Sequence, residues 1–76
     1  MIKIYSTPFC PYCVTLKDYL KSKKVEFVDV DVSENEAERD EMIKLSDQIG
    51  VPVVNIDGKI IVGFDKEQID EALKLK

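Results

Sequence analysis

The stretch Tyr5-Ser6-Thr7-Pro8-Phe9-Cys10-Pro11-Tyr12-Cys13 is a junction between two kinds of backbone. On its N-terminal side, Met1 to Ser6 sets Ile2 and Ile4 against Lys3 and Tyr5, the period-two alternation of a short strand. Pro8 pulls Thr7 away from helical geometry, so the chain turns through Phe9 to Cys10. Pro11 suits the first position of a helix, where its missing N–H costs nothing. That helix is expected to run to about Lys23, with Cys13, Leu16 and Leu20 on one face and Tyr12 and Tyr19 near it.

Two cysteines at such a junction have unequal surroundings. Cys10 falls at or just before the first helical turn, where unsatisfied backbone N–H groups and the positive end of the dipole favour an anion. A thiol there is expected to lose its proton more readily, and the thiolate is the nucleophile. Cys13 lies one turn later on the same side, within reach of a disulfide to Cys10. Its deeper position suits a resolving thiol. A stapling disulfide is the bland alternative, but closing a loop of about four residues contributes only roughly 2 kcal/mol and ties nothing distant together. Cys13 alone also fits an incidental buried thiol; Cys10, between Phe9 and Pro11, fits that poorly. Redox chemistry is the favoured reading.

The rest of the chain supplies the frame. Val25 to Val32 alternates apolar residues with Glu26, Asp29 and Asp31, a second strand. Ser33 with Glu36 has the spacing of a capping box and opens a helix over roughly 34–48. Met42, Leu45 and Ile49 form its apolar stripe, and Gly50 is its expected stop. Val51 to Ile56 reads as a third strand, Asp57-Gly58 as a two-residue hairpin turn, and Lys59 to Val62 as a fourth strand broken by Gly63. Asp65 can cap a last helix whose Ile69, Ala72 and Leu73 face inward. The order β-α-β-α-β-β-α predicts an α/β fold, one mixed four-stranded sheet with helices on both faces, the first two strands parallel and the hairpin antiparallel. No linker or repeat divides residues 1–76, which read as a single domain.

Composition removes whole classes of chemistry. The chain has no His and no Trp, so Cys-His and Ser-His nucleophilic sites and His-based metal sites are excluded within one chain. Two cysteines cannot complete the four-ligand set of a structural zinc. A net charge of −4 argues against a nucleic-acid partner. The longest apolar run is far short of a membrane span, and Met1-Ile2-Lys3-Ile4 opens straight into a strand, so no membrane association and a cytoplasmic location are expected. Charge is uneven: residues 1–25 set five lysines against Asp18, whereas residues 26–50 set nine acids against Arg39 and Lys44. The cysteines therefore sit in the basic third, which reads either as a solvated lysine face or as a setting that favours thiolate or an acidic partner.

Tyr5 to Cys13 resembles the active-site stretch of the glutaredoxins, whose dithiol members carry Cys-Pro-Tyr-Cys, as Cys10-Pro11-Tyr12-Cys13 does here. Val51-Pro52 is similar to the family's Val-Pro, whose proline is cis and faces the active disulfide, and Gly63 to the glycine after its last strand. The likeness spans nearly the whole chain. It implies a minimal thioredoxin fold and a thiol–disulfide oxidoreductase acting on disulfide-containing proteins or glutathione mixed disulfides. By this resemblance Cys10 attacks, Cys13 resolves, and the Val51 backbone beside Pro52 pairs with the substrate. Tyr12, Gly63, Phe64 and Asp65 would line the substrate or glutathione groove. Glutathione is implied as co-substrate, with no tightly bound cofactor, no metal and a monomeric chain.

The pattern also departs from the family. Glutathione-binding members carry Gly-Gly followed by acids where this chain has Gly63-Phe64-Asp65-Lys66-Glu67, and many carry a lysine where it has Thr7. A missing cation and an added ring weaken a glutathione carboxylate site. Gly63-Phe64 is similar instead to the glutaredoxin-like electron donors of ribonucleotide reductase, recharged by thioredoxin reductase, although those do not usually carry Pro-Tyr between the cysteines. Phe64 reads equally as a plug packing the last helix. A Cu(I)-binding module and an iron–sulfur protein bridging a cluster through Cys10 are the remaining alternatives.

Overall fold

Ile2–Ser6 forms β1, and its alternation places Ile2 and Ile4 on one side of a sheet and Tyr5 on the other. In this computed structural model the described residues are 2–74; Met1, expected in the first strand, and Leu75 and Lys76 at the end of the expected domain lie outside them. Chain order continues as α1 (Pro11–Ser22), β2 (Val28–Asp31), α2 (Glu36–Ser46), β3 (Val53–Ile56), β4 (Lys59–Val62) and α3 (Lys66–Leu73).

The four strands make one mixed sheet in the order β2-β1-β3-β4. β1 runs parallel to β2, from Lys3 opposite Val28 to Ser6 opposite Asp31. It runs antiparallel to β3, with Ile4 opposite Val54 and Tyr5 opposite Val53, and β3 pairs antiparallel with β4. Ile2, Ile4, Val54, Ile56 and Ile61 pack against Leu16 and Leu20 of α1 and Ile69 of α3. Tyr5, Val53 and Val32 pack against Met42 of α2 on the opposite face. Each such side chain, fully buried, contributes about 1.5–3 kcal/mol by leaving water. The expected β-α-β-α-β-β-α sheet with helices on both faces is the observed one.

Several boundaries differ from expectation, each for a local reason. The second strand begins at Val28 because Lys24 adopts a left-handed φ of 58° and the Val25 N–H caps α1 by donating to the Leu20 carbonyl at 3.0 Å. Val25 and Phe27 then pack against the α1 side of the core instead of pairing. α2 is capped by Asn35, whose side chain accepts the Glu38 N–H at 3.1 Å. The Ser33–Glu36 capping box does not form, since the Ser33 N–H and hydroxyl both donate to Asp31 Oδ1, at 2.9 and 2.5 Å. α2 also stops at Ser46, with Asp47 left-handed, so Gly50 is not its stop. Met42 is buried as expected, but Leu45 and Ile49 are exposed and Ile43 is the partly buried partner. β3 starts at Val53, because Val51-Pro52 forms the approach to it. The Asp57-Gly58 turn and the Asp65 cap form as expected.

Candidate active site

β1 ends at Ser6, and the turn through Thr7, Pro8 and Phe9 delivers Cys10 to the N-cap of α1 in an extended conformation (φ −103°, ψ 108°). Its Sγ accepts the Cys13 backbone N–H at 3.1 Å, the contact a capping oxygen would otherwise make. One otherwise unsatisfied helix donor is thereby pointed at the sulfur, where it stabilises negative charge. Pro11 occupies the first helical position.

Cys13 sits one turn further on, fully buried, whereas Cys10 is half-exposed, and both are free thiols. Burial pushes the Cys13 thiol up to about 12, helped by its hydrogen bond to Cys10 and by that neighbour's charge. The Thr7 backbone and Lys17 act the other way. Cys10 and Cys13 are the chain's only thiols, and among the described residues no group of three or more His, Cys, Asp or Glu converges as a metal site.

The Val51-Pro52 loop faces the nucleophile. The peptide bond between them is cis, and the Cys10 thiol donates to the Val51 carbonyl at 3.9 Å, a long contact to sulfur. Gly63 holds this loop from the other side: its N–H donates to the Pro52 carbonyl at 2.8 Å while its φ is +78°. A Cβ there would meet nothing within 4 Å, so the left-handed backbone is what requires glycine. On the N-terminal side, Gln48 forms a clip that the sequence did not reveal. Its Oε1 accepts the Gly50 N–H at 2.7 Å and its Nε2 donates to the Gly50 carbonyl at 2.8 Å. The Ser46 hydroxyl, bonded to the carbonyls of Met42 and Gln48, ties the clip to the last turn of α2. The only signal available was Gln48 two residues before Gly50, which many loops share.

The remaining expected groove residues divide. Tyr12 stands exposed on the first turn beside Cys10, and Val51 is half-buried opposite it. Phe64 packs against the core with its ring 5.8 Å from that of Tyr19, the plug geometry. Asp65 caps α3, accepting the Gln68 N–H at 3.1 Å and Gln68 Nε2 at 2.6 Å, and these bonds hold its carboxyl below the usual range. Lys66 pairs with Asp70 at 2.9 Å. Cys10, Cys13, Val51, Pro52 and Gly63 are therefore brought together; Phe64 and Asp65 are engaged in holding α3.

A family model for glutaredoxins matches residues 2–61. The chain belongs to the glutaredoxin family. As a glutaredoxin-family chain it is 61% identical over 74 residues to a glutaredoxin-like 8.6 kDa protein in the rubredoxin operon of Clostridium pasteurianum, covering 97% of this chain and 99% of that protein. It is 42% identical over 64 residues to glutaredoxin 3 of Escherichia coli K12, covering 84% of this chain and 77% of that one. Among solved structures, a thioredoxin-like protein superposes with a TM-score of 0.89 at 33% identity, over 95% of this chain and 99% of that chain. The glutaredoxin-family frame is thus the thioredoxin-like fold, as the Cys10 to Cys13 stretch implied.

Proposed function

We propose that this chain is a cytoplasmic thiol–disulfide oxidoreductase that reduces protein or glutathione mixed disulfides through Cys10 and Cys13. The observation that carries the reading is the inequality of the two sulfurs: Cys10 is accessible and accepts a helix N–H at 3.1 Å, whereas Cys13 is buried behind it. The Cys10 thiolate attacks one sulfur of the substrate disulfide, forming a mixed disulfide and expelling the other sulfur as thiolate. Cys13 then gives up its proton and attacks Cys10, closing the Cys10–Cys13 disulfide and releasing the second substrate thiolate. Two electrons pass from the dithiol to the substrate. An external reductant returns them; in this first reading it is glutathione, acting as a co-substrate with no tightly held cofactor.

Thioredoxin reductase as that reductant, with ribonucleotide reductase as a client, is a second reading. It is favoured by Phe64, Asp65 and Lys66, whose side chains contact Tyr19, Gln68 and Asp70.

NADPH consumption with a model disulfide tests both, with glutathione and glutathione reductase in one cuvette and thioredoxin reductase in another. Turnover in either is expected for the native chain and none for Cys10→Ser, while Cys13→Ser is expected to accumulate a mixed disulfide visible by mass spectrometry. Full dithiol activity in Cys10→Ser would sink the role assignment, and which cuvette turns over chooses between the reductants.

A further inference from the structure

We infer that this site selects polypeptide disulfides whose cysteine is flanked by uncharged, apolar side chains, over charged low-mass disulfides; the inference rests on the thiol–disulfide reading above. Three segments meet at Cys10 and the Val51-Pro52 loop that faces it: residues 4–16, which carry both cysteines, residues 48–56, which carry Val51 and Pro52, and residues 60–64, which reach the loop through Gly63. They are joined by the contact of Cys10 Sγ with the Val51 carbonyl and the bond from Gly63 to Pro52. Not one of these positions is Asp, Glu, Lys or Arg, although charged residues make up 34% of the chain. The charge has been kept out of this one region.

Three of the charged residues that bound these segments, Lys3, Lys17 and Asp65, are engaged elsewhere. Lys17 pairs with Asp29 at 2.9 Å, Lys3 with Glu38 and Glu41 at 2.6 and 3.0 Å, and Asp65 with Gln68. Lys59 opens β4 at the hairpin, the opposite end of that strand from Gly63. A ligand with two carboxylates and an ammonium group, such as glutathione, would lose water there without gaining charge-assisted bonds from these segments' side chains.

Exposure says what replaces charge. Among the described residues, the three most exposed large apolar side chains are Phe9 at 85%, Ile49 at 69% and Tyr12 at 68%. All three lie within two residues of Cys10 or Val51. Phe9 and Tyr12 flank the nucleophile along the chain, and Ile49 rises from the loop held by the Gln48 clip. An uncharged site bordered by large exposed apolar side chains matches an extended peptide that brings apolar side chains of its own.

The test compares two blocked, disulfide-linked peptides of equal length, one with Leu and Phe beside the cysteine and one with Glu at both places. Initial rates of their reduction are read by the native chain and by the double variant Phe9→Ser, Ile49→Ser. The native chain is expected to favour the apolar peptide by about tenfold in kcat/KM, chiefly through KM, and the double variant to lose most of that ratio. A native ratio at or below one overturns the inference, as does a double variant that keeps the native ratio. If the native chain reduces neither peptide but does reduce 2-hydroxyethyl disulfide, the inference alone falls. If it reduces none of the three, the thiol–disulfide reading falls with it.

Discussion

The Cys13 thiol is buried and bonded to Cys10, and the causes of its shift have a consequence for the second chemical step. Desolvation is the largest, but the hydrogen bond to Cys10 and the charge on that sulfur follow. Once Cys10 carries a substrate in a mixed disulfide it holds no charge, so part of what kept Cys13 protonated is gone. The first step thereby prepares the second. In the reduced chain at pH 7–8, iodoacetamide is expected to label Cys10 and leave Cys13 unmodified until the protein is denatured, as peptide mapping would show; equal labelling would contradict the burial. The shift also gives a pH window. Cys13 holds its proton more tightly folded, at about 12, than an ordinary thiol near 9.0, so this contribution to stability is intact below pH 9 and is lost as pH climbs toward 12. In urea titrations from pH 8 to 10.5, the stability of the reduced native chain minus that of Cys13→Ser is expected to fall above pH 9 by up to about 1.4 kcal/mol per unit. A flat difference would mean that the folded chain does not retain the proton.

At the scale of elements, α2 tests which cap sets a helix start. Asn35→Ala removes the acceptor for the Glu38 N–H and is expected to cost about 1 kcal/mol in urea denaturation. Ser33→Ala, which touches only the Asp31 turn, should cost less; the reverse ranking would restore the Ser33–Glu36 box. The loop after α2 carries a prediction about function. Gln48 acts on Cys10 only through Gly50 and Val51, as a positioning residue. A Cβ on Gly50 would lie 2.7 Å from Gln48 Oε1, so Gly50→Ala displaces the amide that Gln48→Leu removes. Both are expected to slow mixed-disulfide formation several-fold in a Cys13→Ser background through a raised KM, with Gln48→Glu intermediate, because it keeps one of the two bonds. Two variants that leave KM unmoved would reduce the clip to a loop ornament. These elements also show what the sequence could convey. Pro11, Asp57-Gly58 and Asp65 act over two or three residues, and each was legible. Val25 to Phe27 was not, since β-branched and aromatic residues suit a strand and a packed loop alike. Phe64 and Asp65 read as groove residues or as structure, and their contacts with Tyr19 and Gln68 are ones that no short motif records.

On the scale of the whole molecule, the open question is how α3 is held, because an eight-residue helix is not stable alone and has no strand following it among the described residues. Ile69, Ala72 and Leu73 supply the apolar face against the sheet and α1. The polar link is a cluster: the Tyr19 hydroxyl of α1 donates to Asp70, Lys66 pairs with the same carboxylate, the Lys66 ammonium lies 5.3 Å from the Tyr19 ring, and Phe64 packs beside it. Lys66 is largely exposed, so its pair adds little by itself. Asp70 is only 4% exposed, which makes the loss of a donor expensive. Tyr19→Phe keeps the ring and its contact with Phe64 while withdrawing that donor, and is expected to cost about 1–3 kcal/mol in urea denaturation. Lys66→Met should cost under about 1 kcal/mol. Because α1 carries Cys10 at its start and Tyr19 two turns beyond, the two ends of the helix answer to different partners. Tyr19→Phe is therefore expected to lower stability while the pH profile of Cys10 alkylation stays that of the native chain. A shifted profile would show that α3 is coupled through α1 to the nucleophile, and that the last helix tunes the reaction as well as closing the fold.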